Sequence, residues 1–201
     1  MMATTHALAG MALAAPVALV APELAPVAVA AGAAGGVVPD LDLYGDHRRT
    51  LHFPVYYPLA AALAAALASV APGTATVAAA VALAAAGLHS GMDALGGGLE
   101  LRPWEGTSER AVFDHYRGRW LAPRRWVPYD GAPEDLALAA VLGVPTLAVA
   151  PAFEPVVLGL LAVSTAWVLV RKPVARLTER LVRLLPSGLA ARLPARFTGG
   201  R

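Results

Sequence analysis

Three long stretches of this 201-residue chain are almost free of charged side chains, and they restrict the possible folds more than any other feature. Glu23 is the only charged residue from Met1 to Pro39, none occurs from Phe53 to Met92, and only Glu154 interrupts Leu136 to Val170. A soluble amphipathic helix needs a polar face, which these stretches lack. A bilayer accepts them because a helix satisfies its own backbone polar groups. The sequence predicts an all-α, multi-pass membrane protein; the alternative is a soluble bundle with an alanine-rich core.

Proline and glycine divide each apolar stretch near its middle, at Ala21-Pro22, Ala71-Pro72-Gly73 and Ala150-Pro151. The division predicts about six short transmembrane segments in three hairpins. They are Thr5–Val20, Leu24–Val38, Pro54–Ala71, Thr74–Met92, Asp135–Ala150 and Phe153–Val170. Several are shorter than the ~20 residues that a perpendicular span needs, so we expect some to be tilted, re-entrant or packed in a thin bilayer.

The composition excludes several classes of protein. Hydrophobic residues make up 57% of the chain and charged residues 15%, which excludes a disordered chain or a basic nucleic-acid arm. Without cysteine, a disulfide scaffold, a thiolate zinc finger and a cysteine nucleophile are excluded. The chain has no Gly-x-Ser-x-Gly, P-loop or His-Glu-x-x-His motif. Charge near zero outside the C-terminal tail argues against a nucleic-acid partner.

The basic residues predict the orientation of the chain in the membrane and its division into two regions. Residues 171–201 contain eight arginines and lysines against Glu179 alone, so the positive-inside rule places this tail in the cytoplasm. Three hairpins then return the N-terminus, Asp40–His52 and a loop of residues 94–134 to the same side of the cell membrane. We expect a membrane-embedded domain of residues 1–171 and a basic tail of residues 172–201.

The tail has a pattern of its own. Val174, Leu177, Leu181 and Leu184 recur at helical spacing after Pro173, with arginines on another face. This pattern predicts an amphipathic helix that binds membrane lipids through apolar burial and anionic headgroups. An ordinary stop-transfer tail is the alternative.

Histidines and aspartates cluster beside the predicted cytoplasmic face. His89 and Asp93 stand at i and i+4, so on a helix both project from one face and can ligate one metal ion. An ionisable residue at the end of an uncharged segment indicates a functional site by default. Asp40 and Asp42 alternate in an expected extended loop, so both can face one cation. The candidate metal ligands are His6, Asp40, Asp42, His47, His52, His89 and Asp93.

Other residues are candidates for catalysis or substrate contact. Asp42 is a candidate proton acceptor, and His115 is a candidate general base or further ligand, with a surface histidine on an amphipathic helix as the alternative. Arg48 and Arg49 bind a phosphate group in the functional interpretation and only set topology in the other. The aromatic residues of loop 94–134, among them Trp104, form an interfacial belt or a lid.

The ordered motifs resemble a known family. Thr5-His6, Pro39-Asp40-Leu41-Asp42, His47-Arg48-x-x-x-His52 and His89-x-x-x-Asp93 occur with the order and spacing of the YdjM-like family of membrane-bound metal-dependent hydrolases, described in bacteria as LexA-regulated inner-membrane proteins. The resemblance covers about half of the chain. This family is distantly similar to zinc-dependent phospholipase C and P1-type nucleases, which implies phosphoester hydrolysis. The fourth residue after His115 is Arg119, so the His-x-x-x-Glu motif of those enzymes is absent from this chain. Its absence implies one or two metal ions instead of three.

Two classes of function follow. The first is a hydrolase with one or two divalent ions, zinc by resemblance, that acts on a phosphoester or phospholipid at the cytoplasmic membrane surface. The second is a non-catalytic membrane protein whose structural or regulatory metal site serves as a platform for partner proteins.

Overall fold

A computed structural model of the chain describes residues 1–190, 193 and 197, and this part is predominantly helical. Its α-helices are α1 (Ala3–Leu13), α2 (Ala15–Val20), α3 (Ala25–Val37), α4 (Tyr56–Val70), α5 (Thr74–Leu95), α6 (Pro133–Val149), α7 (Glu154–Leu184) and α8 (Ser187–Ala190). Short 3-10 helices cover Pro22–Leu24, Val38–Tyr44, Pro103–Glu105 and Pro151–Phe153. Two strands, β1 (Val112–Asp114) and β2 (Arg119–Leu121), complete the described elements.

The helices break where the sequence predicts. Ala21, Ala71 and Ala150 each precede a proline and have φ near −140° with ψ of 65° to 71°, outside the helical region. The reason is steric, because the proline ring disfavours helical geometry at the residue before it. The chain therefore turns back at each of these positions and forms successive hairpins.

Several helical segments are long and apolar enough to cross a membrane. Four segments meet both criteria among the described residues: Ala3–Val20, Pro22–Leu43, Thr74–Leu95 and Pro151–Leu184. The remaining two, α4 with 15 residues and α6 with 17, are shorter than the ~20 residues of a perpendicular span. A predominantly helical fold with membrane-spanning capacity is thus confirmed, while six spans remain a prediction.

Glycines bring the helices α1, α3 and α5 into backbone contact. A Cβ atom built on Gly10 of α1 would lie 1.9 Å from the carbonyl oxygen of Gly32 in α3. A Cβ on Gly35 would lie 2.1 Å from the Ala82 oxygen in α5, and one on Gly36 would lie 2.2 Å from the His6 oxygen. Small residues permit this close approach, as they do in membrane bundles. The packing brings the start of α1 and the ends of α3 and α5 together at one end of the bundle.

The loop of residues 94–134 contains a short antiparallel ribbon of two three-residue strands, which the sequence analysis did not predict. Phe113 pairs with Trp120 across the ribbon. The Asp114 carboxylate accepts the backbone N–H groups of Tyr116 and Arg117, and Gly118 adopts φ +64°, which closes a turn instead of continuing a helix. His115 therefore lies on a hairpin and not on an amphipathic helix.

The same loop packs against α7. Arg171 donates from Nε to Asp130 Oδ2 at 2.7 Å and from an Nη atom to the Leu101 carbonyl oxygen at 3.2 Å. Lys172 lies over the rings of Trp104 and Tyr129. These contacts place the basic end of α7 at the same end of the bundle as the loop.

Helix α7 runs without a break through Pro173 to Leu184. The basic segment up to Leu184 therefore extends the last apolar helix, whereas the sequence predicted a new helix starting near Pro173. Proline removes one backbone N–H, and burial of Arg171 and Ala175 on either side holds the helix in place. Tail residues 191, 192, 194–196 and 198–201 lie outside the described residues.

Candidate metal centre

Four side chains from three parts of the chain converge at this end of the bundle. Asp40 lies in the 3-10 helix that follows α3, His52 lies in the segment before α4, and His89 and Asp93 occupy the last turns of α5. One potential ligand atom from each lies within 4.8 Å of all the others. The i, i+4 spacing in α5 thus brings together the pair that the sequence predicts.

The separations between these atoms match those around a single ion. His52 Nε2 lies 3.1 Å from His89 Nε2 and 3.2 Å from Asp93 Oδ2, and His89 Nε2 lies 3.4 Å from Asp93 Oδ2. Asp40 Oδ1 lies 3.5 Å from His89 Nε2 and 3.9 Å from His52 Nε2. Zinc with ligand distances of ~2.0–2.1 Å holds tetrahedral ligands about 3.3 Å apart. The side chains therefore fit a divalent cation.

Hydrogen bonds on the outer side of each imidazole decide which nitrogen faces the centre. His89 donates from Nδ1 to the Gly36 carbonyl oxygen at 2.6 Å, and His52 donates from Nδ1 to Asp42 Oδ2 at 3.0 Å. In each neutral ring the Nε2 atom then carries a lone pair. Two lone pairs 3.1 Å apart beside a carboxylate repel one another unless a cation or a proton lies between them.

Asp42 supports the centre from behind. Its carboxylate accepts from His47 Nδ1 at 2.8 Å, from the ring of His52, and from the backbone N–H groups of Arg48 and Leu51. Such a partner fixes the orientation and tautomer of a metal-binding histidine. The extended loop that would turn Asp40 and Asp42 toward one cation is not formed. In the observed 3-10 helix, two residues that are two positions apart are rotated by about 240° around the helix axis, so their side chains point about 120° apart.

The surroundings of His47 and His52 shift the pKa of each ring. Burial alone would lower the pKa of His52, but its hydrogen bonds with Asp42 and Asp93 outweigh burial and raise that pKa. Burial lowers the pKa of His47, against the opposing effect of its hydrogen bond with Asp42. In the absence of a cation, these two carboxylates therefore favour the protonated form of His52.

The centre is buried except on one side. The side chains of His52 and His89 have no exposed surface and Asp93 has 2%, whereas 22% of the Asp40 side chain is exposed. Asp40 is therefore the one of the four side chains with appreciable contact with solvent.

Arg48 and the amino group of Met1 bring positive charge next to Asp93. Arg48 is buried, its Nε lies 3.3 Å from Asp93 Oδ2, and an Nη atom donates to the Gly97 carbonyl oxygen at 2.7 Å. Its backbone adopts φ +61°, a strained conformation for a side-chain-bearing residue. The amino group of Met1 also contacts Asp93, at 3.2 Å. Arg48 and the Met1 amino group therefore offset part of the negative charge of Asp93.

His6, His47 and His115 occupy different positions relative to the four side chains. His6 stacks on His89 with ring centroids 3.7 Å apart, and its Nε2 lies 3.3 Å from Asp93 Oδ1, the oxygen turned away from His52. His47 lies behind the centre on Asp42. His115 packs between the rings of Phe53 and Phe113, and it is not part of the four-residue group.

The Gly36 carbonyl oxygen was missed from the sequence, and so was the burial of Arg48 against Asp93. The Gly36 carbonyl oxygen orients His89, and the backbone contact of Gly36 with α1 is what places it there. The Gly35-Gly36 pair was the available signal, because adjacent glycines in an apolar helix indicate close backbone approach. Nothing in the sequence shows that Arg48 is buried against Asp93 while Arg49 stays half exposed over the Phe113 ring.

No protein-family model, curated protein or solved structure was found to match this chain.

Proposed function

We propose that this protein is an integral membrane metal-dependent hydrolase that acts on a phosphoester or phospholipid at the cytoplasmic membrane surface. His52, His89 and Asp93 would hold the ion with Asp40 beside it, and the two imidazoles with a carboxylate favour zinc. A zinc ion in such a site lowers the pKa of water to about 7 and polarises a phosphoryl oxygen.

The observation that carries the proposal is the unequal exposure of the four side chains. His52, His89 and Asp93 are buried, whereas 22% of the Asp40 side chain is exposed. Catalytic zinc sites have three protein ligands and an accessible fourth position, while structural sites are closed. A substrate oxygen can therefore approach beside Asp40.

The neighbouring side chains can perform the remaining tasks. Asp40 is the carboxylate best placed to accept a proton, because both oxygens of Asp42 are occupied by hydrogen bonds. Arg48 supplies a guanidinium beside Asp93, and the electrostatic attraction favours a phosphate over a neutral ester. The ordered motifs that resemble the YdjM-like family support the same reaction class.

A structural or regulatory metal site is the second candidate. The observation in its favour is that four side chains already complete a tetrahedral set, three of them with almost no exposed surface. In that case Asp40 closes the site and the centre stabilises a platform for partner proteins.

One experiment distinguishes the two candidates. The full-length protein is purified in mild detergent, its metal content is measured, and a panel of phosphoesters and phospholipids is offered with and without added zinc. A hydrolase releases product in a metal-dependent manner. Asp40→Asn should reduce turnover more than metal content, because the remaining three ligands still hold the ion.

Asp46→Asn is the matched control, because Asp46 is an exposed carboxylate in the same segment and its side chain forms an ion pair with Arg49. Asp46→Asn should change neither turnover nor metal content. A wild-type protein that binds one ion but hydrolyses none of the panel supports the structural role, and a protein that binds no ion contradicts both candidates.

A further inference from the structure

An exposed apolar stripe follows the whole length of α7. Val156, Val163, Val170, Leu177 and Leu184 stand seven residues apart, and all five are exposed. Val174 and Leu181, also exposed, fill the intervals of the last two heptads, so the spacing from Val170 is four, three, four, three. This alternation, with a mean of 3.5 residues, is the pattern of a coiled-coil seam.

The stripe continues past the part of α7 that a bilayer can cover. The helix has 31 residues, about 46 Å at 1.5 Å per residue, against a hydrocarbon thickness of ~30 Å. Its uncharged portion ends at Val170, and Arg171 and Lys172 follow at once. With the uncharged portion of α7 in the hydrocarbon layer, the continuing helix would carry Leu177, Leu181 and Leu184 beyond that layer.

The other faces of this extension are already in use. Arg171 and Ala175 are buried against the rest of the protein, and Glu179 pairs with Arg102 of the loop. Arginines at positions 176, 180 and 183 form a basic face. Leu193 and Phe197 border Leu181 and Leu184, yet these two leucines remain 55% and 80% exposed.

We propose that this stripe pairs with the same stripe of a second copy of the chain, forming a parallel two-stranded coiled coil that continues from the membrane. Two copies inserted in one membrane have the same orientation, so parallel pairing requires no inversion of either copy. Heptad spacing favours a helix as the occupant over a flat lipid surface, which needs no 3.5-residue period. The inference is independent of the metal centre.

The charges near the stripe are compatible with this pairing. Each heptad has two seam positions, and Val174 and Leu181 occupy the first of them. In a parallel coiled coil, the residue just before this first position faces the residue five positions later in the partner helix. Arg180 precedes Leu181 and would therefore face Leu185 of the partner subunit, so no pair of like charges is brought together. Arg176 and Arg183 lie away from the seam.

The absence of cysteine from the chain permits a clean test by disulfide cross-linking in native membranes. Leu177→Cys and Leu181→Cys place thiols in the seam, and Arg176→Cys and Arg183→Cys are matched controls on the basic face. A disulfide needs Cα atoms about 4.4–6.8 Å apart, which only seam positions of a parallel pair provide. We expect several-fold more cross-linked dimer at the seam positions than at the controls.

Equal cross-linking at all four positions, or none at the seam, would overturn the proposal. A second measurement covers variants that fold poorly: the native mass of the uncross-linked full-length protein in mild detergent, with Leu181→Lys and Arg176→Ala compared. Wild type and Arg176→Ala should be dimeric and Leu181→Lys monomeric. A monomeric wild type whose Leu177 position reports lipid contact assigns the stripe to the membrane surface instead and contradicts the proposal.

Discussion

One turn of α5 provides half of the metal centre, because His89 and Asp93 project from the same face and both are buried where the helix meets the loop. Their contributions to metal binding should therefore be coupled, because each would hold the ion in place for the other.

Removal of either side chain should remove most of the metal affinity. Asp93→Asn keeps the shape of the side chain and loses its charge. We expect metal affinity to fall by at least 10–100-fold, which is typical when a residue that only hydrogen-bonds to a metal ligand is replaced. His89→Ala should have a similar effect, and the double variant should add little, because two ligands of one ion act as a unit. Titration with a zinc indicator checks this. Undiminished affinity in Asp93→Asn would show that the pair only caps or packs the helix.

The pH dependence of the centre has a defined sign. The pKa of His52 is raised in the metal-free protein, so its protonated form stabilises the fold below the unfolded value near 6.5 and this stabilisation is lost as pH rises through the raised pKa. A metal ion must displace that proton, so metal affinity should rise with pH. Thermal unfolding at about pH 6 and about pH 8, with and without zinc, measures both effects. A zinc-induced stabilisation that is larger at the lower pH would contradict the assignment of His52 as a ligand.

The residues of the centre show what a sequence can and cannot reveal. His89 and Asp93 were predictable because helical periodicity alone brings them together. Asp40 and Asp42 were both expected on one cation, and only the 3-10 geometry of Val38–Tyr44 separates their roles. The place of His115 depends on a hairpin closed by Asp114 and Gly118, which local apolar periodicity does not reveal.

At the scale of the helices, the site depends on how closely α3 approaches its neighbours. Gly36 both contacts α1 and accepts the hydrogen bond of His89, so the helix packing and the orientation of a ligand share one residue. The helix breaks were predictable, since each results from a proline acting on the residue before it. The crossing of α3 over α5 was not, because alanine-rich helices can pack in many registers.

A Cβ at Gly35 should disturb both packing and metal binding. In Gly35→Ala the new atom would lie 2.1 Å from the Ala82 carbonyl oxygen, so α3 and α5 must separate. We expect destabilisation of roughly 1–3 kcal/mol, typical of an overpacked core, together with weaker zinc binding. Thermal unfolding in detergent and zinc titration measure the two effects.

Gly91→Ala is the control for this prediction. Gly91 lies in α5 with nothing within 4 Å of a new Cβ, so the variant should keep its zinc affinity and gain up to ~1 kcal/mol from helix propensity. Equal behaviour of the two variants would show that close packing of α3 on α5 does not position the ligands.

On the scale of the whole molecule, all the candidate ligands lie at one end of the bundle, which is also the basic end of α7. The positive-inside rule adds the prediction that this end is cytoplasmic.

Thiol labelling in whole cells tests that orientation, again because the chain lacks cysteine. Tyr116→Cys marks the metal end, where Tyr116 is 69% exposed, and Ser69→Cys marks the opposite end of α4. A membrane-impermeant maleimide should label Ser69→Cys in intact cells and Tyr116→Cys only after lysis. The reverse pattern would place the centre outside the cytoplasm.

X-ray absorption of the zinc-loaded, full-length protein tests the central claim most directly, because it reports the atoms bound to the ion. We predict about four ligands at ~2.0–2.1 Å, with two imidazole nitrogens in wild type and one in His89→Ala. His115→Ala, which removes a histidine outside the four-residue group, should leave the spectrum unchanged. A shell of oxygen atoms alone, or imidazole scattering that His89→Ala does not alter, would contradict a metal centre built from Asp40, His52, His89 and Asp93.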